Sequence, residues 1–488
     1  MTSIRNSDLD LLEDPVGVVL NIPDDFTIQF VSSHVKKNKI GSIIGVLAGD
    51  DRELWVLGEI NKLNSRYYIR DSENYLLGRI VKNELAQLMG NEVERSIGVE
   101  AQARILGFYK RIENRFEALP GFPNRYTSYP LQAVYLIDIS KVKCVYGLSE
   151  KGFSIGEMRF PENQPTIVSA ESFFQNHSLI CGMTGAGKTR LAALLAIGLG
   201  ARGANVIIID PHDEYEAILA KNGQGLGITK FSRSYRRIEK VQIGGNEVFH
   251  KPFQFKMSSL TPSVLIELLP MVSPQQADLI YRAYRIAATS PGVITPSKLL
   301  ITLNKMLESV GKEQRVKAEG LERVYAALIR KIGDASREDQ GYLGSETPAW
   351  TEVKRNNISI LCGERADRLT GRFISAVLQH VLTRQARAPK ILLIEECHQL
   401  FETDSDEEMR SGRLLGQLLR EARKYGTGLI LVTQVENDIP MAVRDQIQNR
   451  FHFRDVRNEK FINLSDRLCR VILHGSQTGF LMWVNDIE

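Results

Sequence analysis

Cysteine is scarce and dispersed. The chain has five in 488 residues, at positions 144, 181, 362, 397 and 469, and no two stand at Cys-x-x-Cys spacing. An odd, scattered set excludes a disulfide framework, offers no structural zinc site and suits a reduced cytoplasmic protein. A surplus of one charge is also missing. Lys plus Arg is 62 against 58 for Asp plus Glu, a formal net charge of +4, so composition alone does not name nucleic acid as a partner, although a local basic surface remains possible. No apolar run is long enough to cross a bilayer. The longest, Leu191 to Ile209, contains Arg202 and Asn205 and is broken by glycines. The first fifteen residues are acidic and lack the basic and apolar regions of a signal peptide, so neither membrane insertion nor secretion is expected. Low-complexity tracts and repeats of fixed period are absent too.

What is present is ordinary globular composition, 43% apolar and 25% charged, with a change of texture along the chain. Residues 1–150 carry short β-branched and aromatic runs: Val18–Ile22, Phe26–Val31, Ile43–Leu47, Leu54–Ile60, Val99–Leu106 and Ala133–Ile137. Polar turns separate them, and Leu119–Pro130 reads as a proline-rich loop. That spacing predicts a small barrel or sandwich. From Asn176 an apolar run, a glycine-rich turn, a helix over Lys188–Leu199 and a strand over Asn205–Asp210 follow in order, the unit of a parallel α/β sheet. Further buried strands are expected at Ile358–Cys362, Ile391–Ile394 and Gly428–Thr433. An amphipathic helix is expected through Leu369, Phe373, Val377, Val381 and Leu382. Residues 261–345 interrupt the alternation and read as a helical insertion, with breaks near Pro274, Pro291–Pro296 and Gly311–Lys312. The expected segments are therefore 1–150, 151–260, 261–345 and 346–488.

The strongest chemical signal is Gly182, Met183, Thr184, Gly185, Ala186, Gly187, Lys188 and Thr189, which fits Gly-x-x-x-x-Gly-Lys-[Ser/Thr]. Glycines let backbone amides curl around phosphates, and the helix that follows points its positive end at them. Lys188 would reach the β- and γ-phosphates of ATP and the Thr189 hydroxyl would bind Mg2+, with Arg190 closing the cofactor-binding stretch. The second signal is Ile391-Leu-Leu-Ile-Glu-Glu396, four apolar residues ending in two carboxylates. Glu395 would support the metal, and Glu396 would orient or polarise the attacking water. Aspartate is commoner at the first position. The extra methylene of Glu395 moves its oxygens outward by about one C–C bond, roughly 1.5 Å. The third signal is the turn Asp210–Tyr215 directly after a strand, where Asp210 is a candidate for assisting water or metal and His212 for a structural hydrogen bond. The fourth is Arg420-Glu-Ala-Arg-Lys-Tyr-Gly426 and the strand ending in Gln434. Arg413, Arg420 and Arg423 would share one helix, as a solvated basic face or as an arginine finger. Gln434 would either sense the γ-phosphate or cap its strand. Arg233–Arg237 reads as a solvated charged turn.

The order of these motifs resembles the HerA branch of the HerA–FtsK ATPases. The resemblance runs from about Asn176 to the C-terminus and rests most selectively on Asp210–Tyr215 and Arg420–Gly426. Glu395-Glu-Cys-His398 stands where that family usually has Asp-Glu-Ala-His. The resemblance implies a RecA-like P-loop ATPase core with a helical insertion, preceded by a small β-barrel domain. It implies a homo-hexameric ring with duplex DNA in its channel, and ATP with Mg2+ as ligands. The implied partner is a NurA-like, sirtuin-like or other nuclease effector, in DNA end processing or phage defence. By position, Lys188 and Thr189 hold nucleotide and magnesium, Glu395 supports the metal, Glu396 is the catalytic glutamate, Gln434 is the sensor, and Arg420 precedes Arg423 as the choice for the finger. A ring scaffold that binds ATP mainly to switch on an effector nuclease is the competing function. A protein-secretion or conjugation ATPase is a third.

Overall fold

The computed structural model describes residues 15–24, 27–32, 39–48, 53–65, 99–112, 115–119, 132–159, 164–232, 235, 237–269, 271–313, 318–337, 343–344, 357–362, 377–378, 389–401, 415–417, 419–454, 464–476 and 479–486. Chain contacts separate two compact units, one of Met1–Ser169 with Cys469–Trp483, the other of Ala170–Leu468 with Val484–Glu488.

In the first unit, β1 (Gly17–Asp24), β2 (Thr27–Ser32), β3 (Ile43–Leu47), β4 (Leu54–Ser65), β5 (Val99–Ile112), β6 (Arg115–Ala118) and β7 (Ala133–Leu136) form one antiparallel sheet. Pairing of β2 with β5 closes six of them into a barrel in the cyclic order β1-β7-β3-β4-β5-β2, and β6 extends β5 outside the ring. Closure leaves those six strands without an open edge. Alternate residues face inward: Ile28 and Phe30, Ile44 and Val46, Leu54 and Val56, Ala101 and Ala103 share one core, as a period of two requires. Register shifts between β4 and β5 at Leu57/Gly58 and Ile60/Lys62 help the long strands bend. A hairpin of β8 (Phe153–Met158) and β9 (Gln164–Val168) follows. β8 also pairs with a strand over Phe480–Val484, which pairs in turn with Leu468–Ile472. This pairing carries the first unit past residue 150 and brings a late piece of chain into it.

The second unit is built on a nearly all-parallel sheet. Its strands are β10 (His177–Cys181), β11 (Asn205–Asp210), β12 (Gly227–Ser232), β13 (Glu239–Ile243), β14 (Asn246–Pro252), β17 (Asn357–Cys362), β18 (Lys390–Ile394), β19 (Thr427–Thr433) and β20 (Ile447–His452). A separate two-residue pair comprises β15 (Phe255–Lys256) and β16 (Leu343–Gly344). The order is β13-β14-β12-β17-β11-β18-β19-β10-β20, parallel throughout except for the edge pair β13–β14. Every residue of β10, β11, β18 and β19 is buried, as expected of strands covered on both faces.

Helices among the described residues include α1 (Ala170–Gln175), α2 (Lys188–Gly200), α3 (Tyr215–Asn222), α4 (Pro262–Leu268), α5 (Pro274–Thr289), α6 (Pro296–Glu313) and α7 (Ala318–Ala335). α2 packs across β10, β11, β18 and β19. α4 to α7 share a single core with Leu179, Ile207, Ile209, Leu392, Leu429 and Leu431, so this insertion covers one face of the sheet. The breaks expected near Pro274 and Pro291–Pro296 fall between α4 and α5 and between α5 and α6, and Pro274 and Pro296 open the helices that follow. Thr261 caps α4 ahead of Pro262, Ser273 and Gln276 form a capping box around Pro274, and the Thr295 hydroxyl accepts the amide of Lys298 beyond Pro296. A proline in the first turn loses no internal hydrogen bond. The break expected near Gly311–Lys312 comes one residue later: α6 ends at Glu313 and α7 begins at Ala318. One glycine in a last turn costs about 1 kcal/mol, less than the apolar stripe of a long amphipathic helix returns. Of the helix expected around Leu369–Leu382, only Val377 and Leu378 are described, both helical and buried. The loop expected at Leu119–Pro130 lies outside the described residues except for Leu119.

Candidate nucleotide site

β10 ends at Cys181 and α2 begins at Lys188, so the glycine-rich segment spans the C-terminal edge of the sheet. Gly182, Gly185 and Gly187 have φ of 146°, 80° and 109°, values that side-chain-bearing residues rarely adopt. A Cβ on Gly182 would stand 2.6 Å from that of Phe453. The loop is braced from the far side: Phe453 N–H donates to Cys181 O (2.8 Å), Met183 N–H to Arg454 O (2.9 Å) and Arg467 N–H to Ala186 O (3.0 Å). Thr184 and Gly185 are exposed at the tip, while Ala186 is buried. Lys188 is only 8% exposed, and its Nζ donates to Met183 O at 3.0 Å. Burial lowers its pKa, against the pull of Glu396 and Glu395. Thr189 Oγ1 donates to Glu214 Oε2 at 3.1 Å. Arg190 pairs with Asp486 at 2.9 Å.

β19 lies between the loop strand β10 and the acidic strand β18. At the end of β18, Glu395 is buried and its Oε1 accepts a hydrogen bond from the Tyr215 hydroxyl. Burial pushes this carboxyl up to about 7, helped by neighbouring Glu396 and Asp210 and opposed by Tyr215 and Lys188. Glu396 is left-handed, with φ 50°; such a non-glycine conformation costs about 1–3 kcal/mol and gathers at functional sites. Gln434, just past β19, donates from Nε2 to Glu396 Oε1 at 3.1 Å. His398 Nδ1 stands 3.1 Å from Glu396 Oε2. Burial raises the Glu396 carboxyl, but His398, Gln434 and Lys188 outweigh it and hold it below its ordinary value. Two adjacent carboxyls are thus driven apart, one buried toward protonation and one kept ionised.

The turn after β11 joins these pieces. Asp210 accepts the amides of His212, Glu214 and Tyr215, so its carboxylate fixes the turn. Glu214 then reaches Thr189, and Tyr215 reaches Glu395. His212 gives Asp210 its amide and leaves its ring exposed. Arg420 is exposed in a short helical stretch, and Arg423 stands on the 3-10 turn Ala422–Tyr425 that ends it, so the two do not continue one regular helix. The side chain of Arg423, and Arg413 entirely, lie outside the described residues. Of Arg233–Arg237, Tyr235 stacks on His250 at 4.6 Å and exposed Arg237 pairs with Glu239; the other three residues are not described. Cys181 Sγ lies 3.0 Å from His452 Nδ1, with Glu436 3.7 Å from the same nitrogen, a contact that ties β10 to β20 beneath the loop.

Sequence reasoning missed Glu214, Tyr215, Phe453 and Arg467. Only the first two carried a signal, since they fall inside the polar turn after a buried strand. The oxygen-only set offered by Thr189 and Glu395 fits magnesium, and the left-handed glycines beneath an exposed loop tip fit a phosphate chain.

Comparison with known proteins agrees with this geometry. The family model described as the HerA helicase central domain matches residues 153–378, and the zonular occludens toxin model matches residues 374–469. A probable helicase of Methanocaldococcus jannaschii is 23% identical, over 92% of this chain and 88% of its own. The DNA double-strand break repair helicase HerA of Pyrococcus furiosus is 21% identical, over 95% and 88%. Among solved structures, VirB4 of Thermoanaerobacter pseudethanolicus is similar in fold, with a TM-score of 0.50 and 17% identity over 70% of this chain and 98% of that one. A braced glycine loop facing a paired-glutamate strand across one intervening strand, inside a chain that aligns over 95% of its length with a HerA helicase, marks this protein as a P-loop ATPase similar to the HerA–FtsK superfamily.

Proposed function

We propose that the protein is an ATP-driven DNA translocase of HerA type, working as a hexameric ring around duplex DNA together with a nuclease effector. The observation that carries the reading is the meeting of Glu396 with Gln434 opposite the Lys188 loop. Lys188, released from Met183 O, takes the β- and γ-phosphates of ATP, and the amides of Gly185–Thr189 cradle them. Thr189 and Glu395 hold magnesium, which when bound neutralises charge on the phosphates. Glu396, kept ionised, aligns a water in line with the γ-phosphate and accepts its proton. Gln434 is placed to read whether that phosphate is present and to pass the state to Glu396. Arg420, exposed, supplies the finger to the neighbouring protomer's nucleotide, with Arg423 the second choice.

The test is DNA-stimulated ATP hydrolysis with displacement of a blocking strand or protein, measured for wild type and Glu396→Gln. The variant should bind ATP, assemble and fail to translocate. Full effector activation by Glu396→Gln would favour the scaffold function. No stimulation by any DNA would count against DNA as the substrate. Mixing Arg420→Ala with Glu396→Gln subunits should partly restore hydrolysis; intact rings without rescue would remove Arg420 as the trans residue.

A further inference from the structure

Resting on the ATPase reading above, we infer that Tyr215 is a positioning residue, whose hydroxyl aims Glu395 at the magnesium shell while the same turn holds Thr189 from the other side. Tyr215 is fully buried. Its hydroxyl is given to a carboxylate 180 residues away, where a backbone carbonyl would have satisfied a structural phenol equally well. The turn that presents it is fixed at both ends. Asp210 Oδ2 accepts the amides of Glu214 (2.9 Å) and Tyr215 (3.0 Å). Lys230, with a side chain only 6% exposed, pairs with Asp213 (2.7 Å) and Glu216 (2.6 Å). From this anchored turn one side chain goes to Thr189 and the next to Glu395, the two groups that hold magnesium.

The length of Glu395 gains a reason. An aspartate at that position would fall short of the phenol by about one C–C bond, roughly 1.5 Å, and its carboxylate would be free to swing. Partners that orient a metal's ligands, without touching the metal, are worth about 10- to 100-fold in affinity or activity.

Tyr215→Phe keeps the ring and removes the hydroxyl. Two readouts are needed. One is the affinity of a fluorescent ATP analogue in EDTA and again with Mg2+; the other is the Mg2+ concentration that half-saturates hydrolysis. Affinity in EDTA should be unchanged, and the tightening brought by Mg2+ should fall by about tenfold, with half-saturation rising to match. In a Glu395→Gln background, Tyr215→Phe should add nothing, since the two act as one unit. Glu395→Asp, which leaves Tyr215 and its packing in place, should also raise the Mg2+ requirement. Unchanged Mg2+ dependence in both Tyr215→Phe and Glu395→Asp, or additive losses in the double variant, would overturn the assignment. Lys188→Ala separates this from the reading it rests on: hydrolysis surviving that change would remove the nucleotide site itself, whatever Tyr215 does.

Discussion

The barrel and the ATPase unit bury different things. Among the described residues, the buried polar side chains of the first unit are Ser32 and Thr166, neither charged. The second unit buries Lys188, Asp210, Lys230, Lys390 and Glu395. A buried charge is expensive unless paired, and Lys188, Asp210 and Glu395 gather at the C-terminal edge of a parallel sheet, where α/β proteins place their ligands. The barrel fills its interior with alternating apolar side chains and keeps polarity outside. One unit spends its interior on stability, the other gives up part of it for chemistry.

Substitutions can break or sharpen that contrast. The largest effect belongs to the charged unit: Lys188→Ala should cut ATP turnover by about 10³-fold with little loss of melting temperature, measured by steady-state hydrolysis and thermal unfolding. Phe30→Ala in the barrel should do the reverse, costing about 3–4 kcal/mol of stability while turnover per folded molecule holds; a comparable fall in turnover would show that the barrel takes part in the chemistry. Gln434→Ala comes next, with turnover reduced about thirtyfold and ATP affinity kept, read from single-turnover hydrolysis against analogue binding. The smallest is a pH effect. Folded Glu395 titrates near about 7, above the value of 4.5 it returns to on unfolding. Between those values the folded state holds the extra proton, so its contribution is greatest at low pH and is lost as pH rises toward 7. In metal-free denaturation, Glu395→Gln should narrow the gap in stability between pH 5 and pH 8 by about 1–2 kcal/mol; an unchanged gap would mean that Glu395 is ionised throughout.

The two units also differed in how far their residues announced them. Regular β-branched runs foretold the barrel strands, and only closure itself and the short β6 were hidden, because pairing between β2 and β5 is a contact across the chain. The loop Gly182–Thr189 and the pair Glu395–Glu396 were legible because phosphate binding demands fixed residue types at fixed spacing. The partners of those motifs were not. Phe453 and Arg467 support the loop through backbone amides that any residue but proline would supply, and Tyr215 meets Glu395 only once β11 and β18 lie side by side. Asp210 looked chemical from its place after a strand, and its three bonds to turn amides are a pattern that composition does not reveal. The prolines of the insertion marked its gaps legibly, because a residue that cannot continue one helix can open the next.

The single strand β19 set between β10 and β18 acts as a built-in gauge. Neighbouring strands run about 4.8 Å apart, so the loop and the acidic pair are kept about 10 Å from each other by main-chain pairing. A terminal phosphoryl group with its attacking water must fit within that span. Side chains on either bank can be exchanged to retune grip or speed, but the width of the slot is inherited from the backbone and stays the same for every variant that still folds.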